Sequence, residues 1–293
     1  MHRLRADILC TDCASVNELL RRFVMKQFYP HINKDNILRQ ILPEKKIILA
    51  DGGEMLANDD SHSFDIFDET DIVSQLQKNA AELENIAQCN YTYAICDISF
   101  GKETTAFEKP ASTDHRGNLD VPLILTYRRR SFELLGKDIR RLLSECTQCV
   151  IFAATIGPQI DRIMKKKELE SMSDALIFDM CASDAIENLC DDINDELDDY
   201  FHSRGLFLTD RFSPGYGDLP VSASVDIARI LDASRRIGLT FNNYGLMMPL
   251  KSVTAVIGIS DKPQPMRIRG CKFCRMSDSC SFKKRGLTCY SID

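Results

Sequence analysis

The C-terminal stretch CKFCRMSDSCSFKKRGLTCY constrains this chain most: four cysteines, Cys271, Cys274, Cys280 and Cys289, fall within 19 residues at spacing C-x2-C-x5-C-x8-C. The segment follows a proline-bearing linker, DKPQPMRIRG, and has few aliphatic residues from which to build a core. Four thiolates on one metal or cluster would fold it instead. It contains no histidine, so the ligand set is all sulfur. The x2-then-x5 spacing resembles four-iron cluster modules more than zinc ribbons, whose C-x-x-C pairs lie further apart. An iron–sulfur cluster is therefore favoured over zinc, with unligated thiols as the third reading.

The other eight of the 12 cysteines read differently. The start, MHRLRADILCTDC, lacks an apolar signal region, so the cytoplasm is the expected compartment and reduced thiols are expected there. No apolar run is long enough to span a bilayer. Cys149 opens an apolar strand, and Cys181 and Cys190 lie in a long amphipathic helix, so these read as small core hydrophobes. Cys10 and Cys13 form a C-x-x-C pair with no second pair nearby.

Charge follows the same division. From Lys262 to Tyr290 eight Lys and Arg face one acid, Asp278, a net of +7; with -6 overall, the rest of the chain carries -13. Such a tail fits nucleic acid, an acidic protein partner, or simple balance of a thiolate-bound cluster. The acidic body and the lack of an aromatic stacking pattern disfavour nucleic acid.

Periodicity gives an α+β chain in three parts: a helical and irregular segment over 1–90, a main domain over 91–260, and the basic Cys-rich tail over 261–293. NELLRRFVMKQF and DIVSQLQKNAAELENIAQC have helical spacing. YTYAICDISF, VPLILTY, CVIFAATIG, GLFLTD and KSVTAVIGIS read as strands. SFELLGKDIRRLLSEC reads as one helix capped by Ser131. Pro158 opens PQIDRIMKKK, whose Lys165 to Lys167 are expected on a solvated last turn. A helix over about 173–201 carries Ile186, Leu189, Ile193, Leu197 and Tyr200 as one stripe; the acids of its other faces, Asp191 among them, are expected in solvent. Glu187 lies beside that stripe. SASVDIARILDASRRIG is expected as a helix from Ser222 to Gly238. The chain has no G-x-G-x-x-G, no P-loop and no catalytic Ser-His-Asp or Cys-His constellation.

Three segments in order resemble the activation domain of cobalamin-dependent methionine synthase in its stand-alone form. They are Phe152 to Gly157 with Pro158 and the Ile160-Asp161-Arg162 turn; Arg211 to Tyr216 running on to Pro220; and Met247, Pro249, Ser252, Val253 and Thr254. The likeness covers about 90–260. It implies a twisted, mostly antiparallel sheet with flanking helices, to which the Cys-rich appendix is added. It also implies a module that binds S-adenosylmethionine and re-methylates cobalamin carried by a separate methionine synthase or related corrinoid protein. The electron would come from a flavodoxin- or ferredoxin-like donor. Such chemistry needs in-line placement and water exclusion more than acid or base groups, so no catalytic side chain is expected.

The resemblance assigns ligand contacts. Arg211 would grip the amino-acid carboxylate, and Glu187 would face the sulfonium or the ammonium group. Pro214 and Gly215 would let the backbone approach the adenine, with Tyr216 against the adenosine. Thr155 and Gly157 would line the pocket wall, and Ser252 would hydrogen-bond the ligand. Met248 stands where the family carries a tryptophan. The tail cysteines are absent from the fused form, which leaves a second reading: an iron–sulfur redox protein that activates another corrinoid methyltransferase.

Overall fold

The computed structural model describes residues 29–41, 69–101, 122–264 and 278–284. Its centre is a pair of strands, β4 (Gln148–Thr155) and β8 (Ser252–Ser260), in which nearly every residue is buried. Runs such as VIFAAT and TAVIGI do not alternate because helices cover both faces of the sheet. Outward on one side come β1 (Asn90–Phe100), β2 (Leu123–Tyr127) and β3 (Arg130–Leu134), and on the other the two-residue β5 (Phe207–Leu208). The order is β3-β2-β1-β4-β8-β5, with every described ladder antiparallel. A separate ribbon pairs β6 (Thr240–Phe241) with β7 (Met247–Met248).

Alternation along β4 and β8 sends side chains to two cores. Val150, Phe152, Ala255 and Ile257 pack toward a 31-residue helix, α5 (Met172–His202), through Phe178, Ala182, Leu189 and Ile193. Ser171 caps α5, its hydroxyl accepting from the Asp174 N–H at 3.3 Å. The same core takes Ile37 from α1 (Lys34–Ile41), Leu76 and Leu83 from α2 (Glu69–Ile86), and Ile160 from α4 (Gln159–Glu170). Ile151, Ala153 and Val256 face the second core, beneath α6 (Ala223–Leu231) and α7 (Ala233–Ile237). Cys149 belongs there, and Cys181 and Cys190 to the first core, all fully buried as the thiol reading expects. Among the described residues no helix is long and apolar enough to cross a membrane.

Three local expectations fail. Ser131 caps no helix: it lies in β3, paired with Thr126, and the helix α3 (Lys137–Leu142) begins only after Gly136. Phe132 and Leu134 gain more as cross-strand partners of Leu125 and Leu123 than as a first helical turn, and Gly136, at φ 140, breaks the chain between strand and helix. The helix expected from Ser222 to Gly238 is two, divided at Asp232, which sits left-handed at φ 54. Ser222 makes no side-chain capping bond, while Gly238 ends α7 at φ 71 as expected. Finally, Lys165 and Lys166 are solvated but Lys167 is buried, its ammonium 2.8 Å from Asp174 and 2.9 Å from Glu82.

The hairpin between β2 and β3 turns on Arg128 and Arg129, with Arg128 at φ 57. Glycine or asparagine ordinarily takes that conformation, and an arginine there costs about 1 kcal/mol.

Candidate functional site

Two of the three sequence segments meet at one end of the central strands. Thr155 and Ser252 are directly opposed across β4 and β8. The Thr155 hydroxyl donates to the Lys251 carbonyl at 3.3 Å and accepts from the Gly157 N–H at 3.2 Å. The Ile156 N–H adds a second bond to the Lys251 carbonyl at 3.2 Å. The Ser252 hydroxyl donates to the Pro249 carbonyl at 2.7 Å. From the first turn of α4, the Asp161 carboxylate accepts from the Leu250 N–H at 3.0 and 3.2 Å. Gly157 holds φ 94 while the chain crosses Gln88, whose Cβ would lie 3.1 Å from any added Cβ. In this geometry Thr155, Ser252 and Asp161 bind backbone and fix the Met247–Lys251 approach to β8.

The second segment lies further along β8. Phe212 bridges Val256, exchanging two backbone hydrogen bonds of 2.9 Å. Alternation places the Phe212 ring in the α6 core and turns Arg211 toward α5. There Arg211 Nη2 donates to Glu187 Oε2 at 2.5 Å, and Nη1 lies 3.5 Å from Asp191 Oδ1. The Arg211 side chain is 11% exposed, against 58% for Glu187. Its Nη1 is buried and has no hydrogen-bond partner among the described residues. Burial works against the cation, but Cys190, Glu187 and Asp191 outweigh it and hold Arg211 above its ordinary value. The Cys190 thiol is pushed up to about 12, by burial first, with Arg211 opposing and Glu187 and Asp191 adding to the rise.

One stripe of α5 thus serves both strand ends. Asp179 and Ser183 each stand 2.7 Å from the Lys251 ammonium, and Glu187 and Asp191, one and two turns on, take Arg211. Asp191 is exposed, as expected with its acidic neighbours, and its reach to Arg211 is the addition; the i, i+4 spacing from Glu187 is the signal that would have singled it out.

After Arg211 the chain turns back on itself. Gly215, at φ 99, donates its N–H to the Leu219 carbonyl at 2.9 Å, and the Tyr216 N–H reaches the Ser213 carbonyl at 3.0 Å. Tyr216 is 63% exposed beside the Phe212 ring. Pro214 is half-buried. Among the described residues β5 pairs only with Ser260 and Ile259, and Phe212 with Val256, so no strand covers the β8 edge from Ser252 to Ala255. That edge separates the two groups. Thr155 and Ser252 lie on its α6 side, Arg211 and Glu187 on its α5 side, with Pro214 to Tyr216 following the Phe212 bridge.

Of the tail cysteines, Cys280 is described and half-buried, its carbonyl accepting from the Lys284 N–H at 3.1 Å in a short helix, α8 (Ser281–Lys284). Cys271, Cys274 and Cys289 lie outside the described residues, as do Cys10 and Cys13. Among the described residues no group of three metal-ligating side chains converges.

No protein-family model and no curated protein matches the chain. Among solved structures, a crystal structure of the MetH reactivation domain bound to AdoHcy is similar to it, at a TM-score of 0.45 and 10% sequence identity, over 78% of this chain and 78% of that one.

Proposed function

We propose that this chain binds S-adenosylmethionine along the open edge of β8 and supports reductive methylation of a cobalamin carried by a separate methionine synthase or related corrinoid protein. The Arg211–Glu187 pair carries the reading. A guanidinium and a carboxylate already in contact form a receptor for a zwitterion: the amino-acid carboxylate takes Arg211, whose buried Nη1 is a spare donor, and the ammonium takes Glu187. One ion pair is exchanged for two. The unpaired edge of β8 offers main-chain groups to an extended ligand, and Pro214, Gly215 and Tyr216, which follow the Phe212 bridge, would take the flat base. Thr155, Gly157 and Ser252 hold the strand ends that shape this edge.

An electron from a flavodoxin- or ferredoxin-like donor reduces the cobalt. The reduced cobalt then displaces the sulfonium methyl, and S-adenosylhomocysteine leaves. The protein's part is to fix the methyl donor in line and exclude water. Titration of the full chain with S-adenosylmethionine, then assay with cob(II)alamin and a strong reductant, tests this reading.

The tail spacing keeps a second reading open. Cys271, Cys274, Cys280 and Cys289 form an all-thiolate set suited to an iron–sulfur cluster, or otherwise to zinc, and a cluster would make the chain a redox activator of another corrinoid protein. Anaerobic purification with metal analysis separates them: iron with thiolate-to-iron absorption supports the redox reading, and one zinc without colour reduces the tail to a structural staple.

A further inference from the structure

Two adjoining clefts lie away from Arg211, between the β2–β3 hairpin and the helices α6 and α7. Their volumes are about 910 and 440 Å³, and they share Arg129, Arg130 and Ile230. Neither is lined by any residue of the S-adenosylmethionine reading. From the hairpin rim come Arg128, Arg129 and Arg130, and from the helix rim Arg229, Arg235 and Arg236. Arg229 and Arg235 are neutralised by Asp226 at 2.9 Å and Asp232 at 2.6 Å. Arg128 lies over the Tyr127 ring at 5.2 Å. Arg129, Arg130 and Arg236 are exposed and have no carboxylate within ion-pair distance among the described residues.

Three features set this groove apart from a solvated basic surface. The body of the chain is strongly acidic, so unpaired arginines gathered from two rims run against its average. The cations are all arginine, the side chain whose planar fork grips phosphate or carboxylate through two bonds. Arg128 also holds a left-handed turn position that glycine would take without strain. Between the rims the lining is mixed: the alternation of β2 and β3 brings Tyr127 and Phe132 to the face of Ile230, beside Ser131, Ser222 and the carboxylate Glu133. The volumes match those of small-molecule sites.

We propose that this groove binds an organic polyphosphate, a nucleoside triphosphate being the best fit, with the phosphates on Arg129, Arg130 and Arg236 and the organic body over Tyr127, Phe132 and Ile230. A concave site with Tyr127 and Phe132 beside its arginines suits a compact ligand that carries its charge at one end.

Calorimetric titration of the full chain with ATP, adenosine, a poly-glutamate peptide and a single-stranded oligonucleotide, at about 50 mM salt where charge attraction is strong, tests it. ATP is expected to bind and adenosine alone to give no saturable heat. The double variant Arg129→Gln/Arg236→Gln is expected to weaken ATP at least about tenfold with an unchanged circular dichroism spectrum. Arg211→Ala is expected to leave ATP binding intact, which separates this groove from the S-adenosylmethionine site. No heat with ATP, equal ATP binding in the double variant, loss of ATP binding in Arg211→Ala, or binding of the peptide or oligonucleotide in place of ATP overturns the proposal.

Discussion

Arg211 and Glu187 are in contact at 2.5 Å across the gap between the loop after β5 and the middle of α5. The contact makes each side chain the holder of the other, and a ligand with both charges can enter between them. Glu187→Gln keeps the shape and removes the ammonium's partner, so S-adenosylmethionine should bind about tenfold more weakly. Methylthioadenosine, which lacks the amino-acid end, should bind wild type and Glu187→Gln alike. Parallel titrations check both, and a methylthioadenosine affinity that falls with S-adenosylmethionine would place Glu187 elsewhere in the site.

Among the described residues Lys167 is the most deeply held cation outside that site, buried between Asp174 and Glu82 and lying 5.2 Å from the Phe178 ring. Lys167→Ala leaves Asp174 in a half-buried place without its counter-ion, and should cost about 2–4 kcal/mol in urea unfolding.

The same cluster makes stability pH-dependent. Burial pushes the Asp174 carboxyl up, but hydrogen bonds from Lys167 and Asn79 and the Lys167 charge outweigh it, leaving the group below the usual carboxylate range. Its contribution is therefore fully present above that range and fades as pH falls through the folded value. Asp174→Asn should be less stable than wild type at neutral pH, and the gap in urea midpoints should narrow as pH falls below the usual carboxylate range.

Gly258 marks the tightest place in the α6 core. A Cβ there would stand 2.6 Å from Cys146 Sγ, 2.7 Å from Leu143 Cδ2 and 2.8 Å from Thr209 Cγ2. Gly258→Ala should destabilise by about 1–3 kcal/mol, measured by thermal or urea unfolding.

The core thiols should be chemically silent. Burial pushes Cys146 up to about 11 and Cys181 to about 12, and raises Cys149 well above its ordinary value. Alkylation of native protein at about pH 8 should leave Cys146, Cys149, Cys181 and Cys190 unmodified by peptide mass spectrometry, and unfolding should release all four.

What the sequence made legible was what periodicity and local chemistry control. The central strands CVIFAAT and SVTAVIGIS are continuous apolar runs, and a doubly covered sheet leaves them little alternative. Thr155 and Ser252 were singled out in separate segments, but only the pairing of β4 with β8 opposes them and brings Lys251 to Thr155. Lys167 was invisible, because only tertiary approach of α2 to α4 and α5 brings Glu82 and Asp174 to it. Ser131 misled because FELL carries helix-compatible residues, and the pairing partner that makes it a strand lies in β2. The pairing of Asp191 with Arg211 was masked by the acids around it, and the arginine groove by the distance in sequence between its two rims, 128–130 and 229–236.

Calorimetric titration of the full chain with S-adenosylmethionine, wild type beside Arg211→Ala, tests the central claim most directly. The expected result is saturable one-to-one binding by wild type and a loss of about 2–3 kcal/mol, roughly 30- to 150-fold, in a variant that remains folded. No binding by wild type, or equal binding by Arg211→Ala, would contradict it.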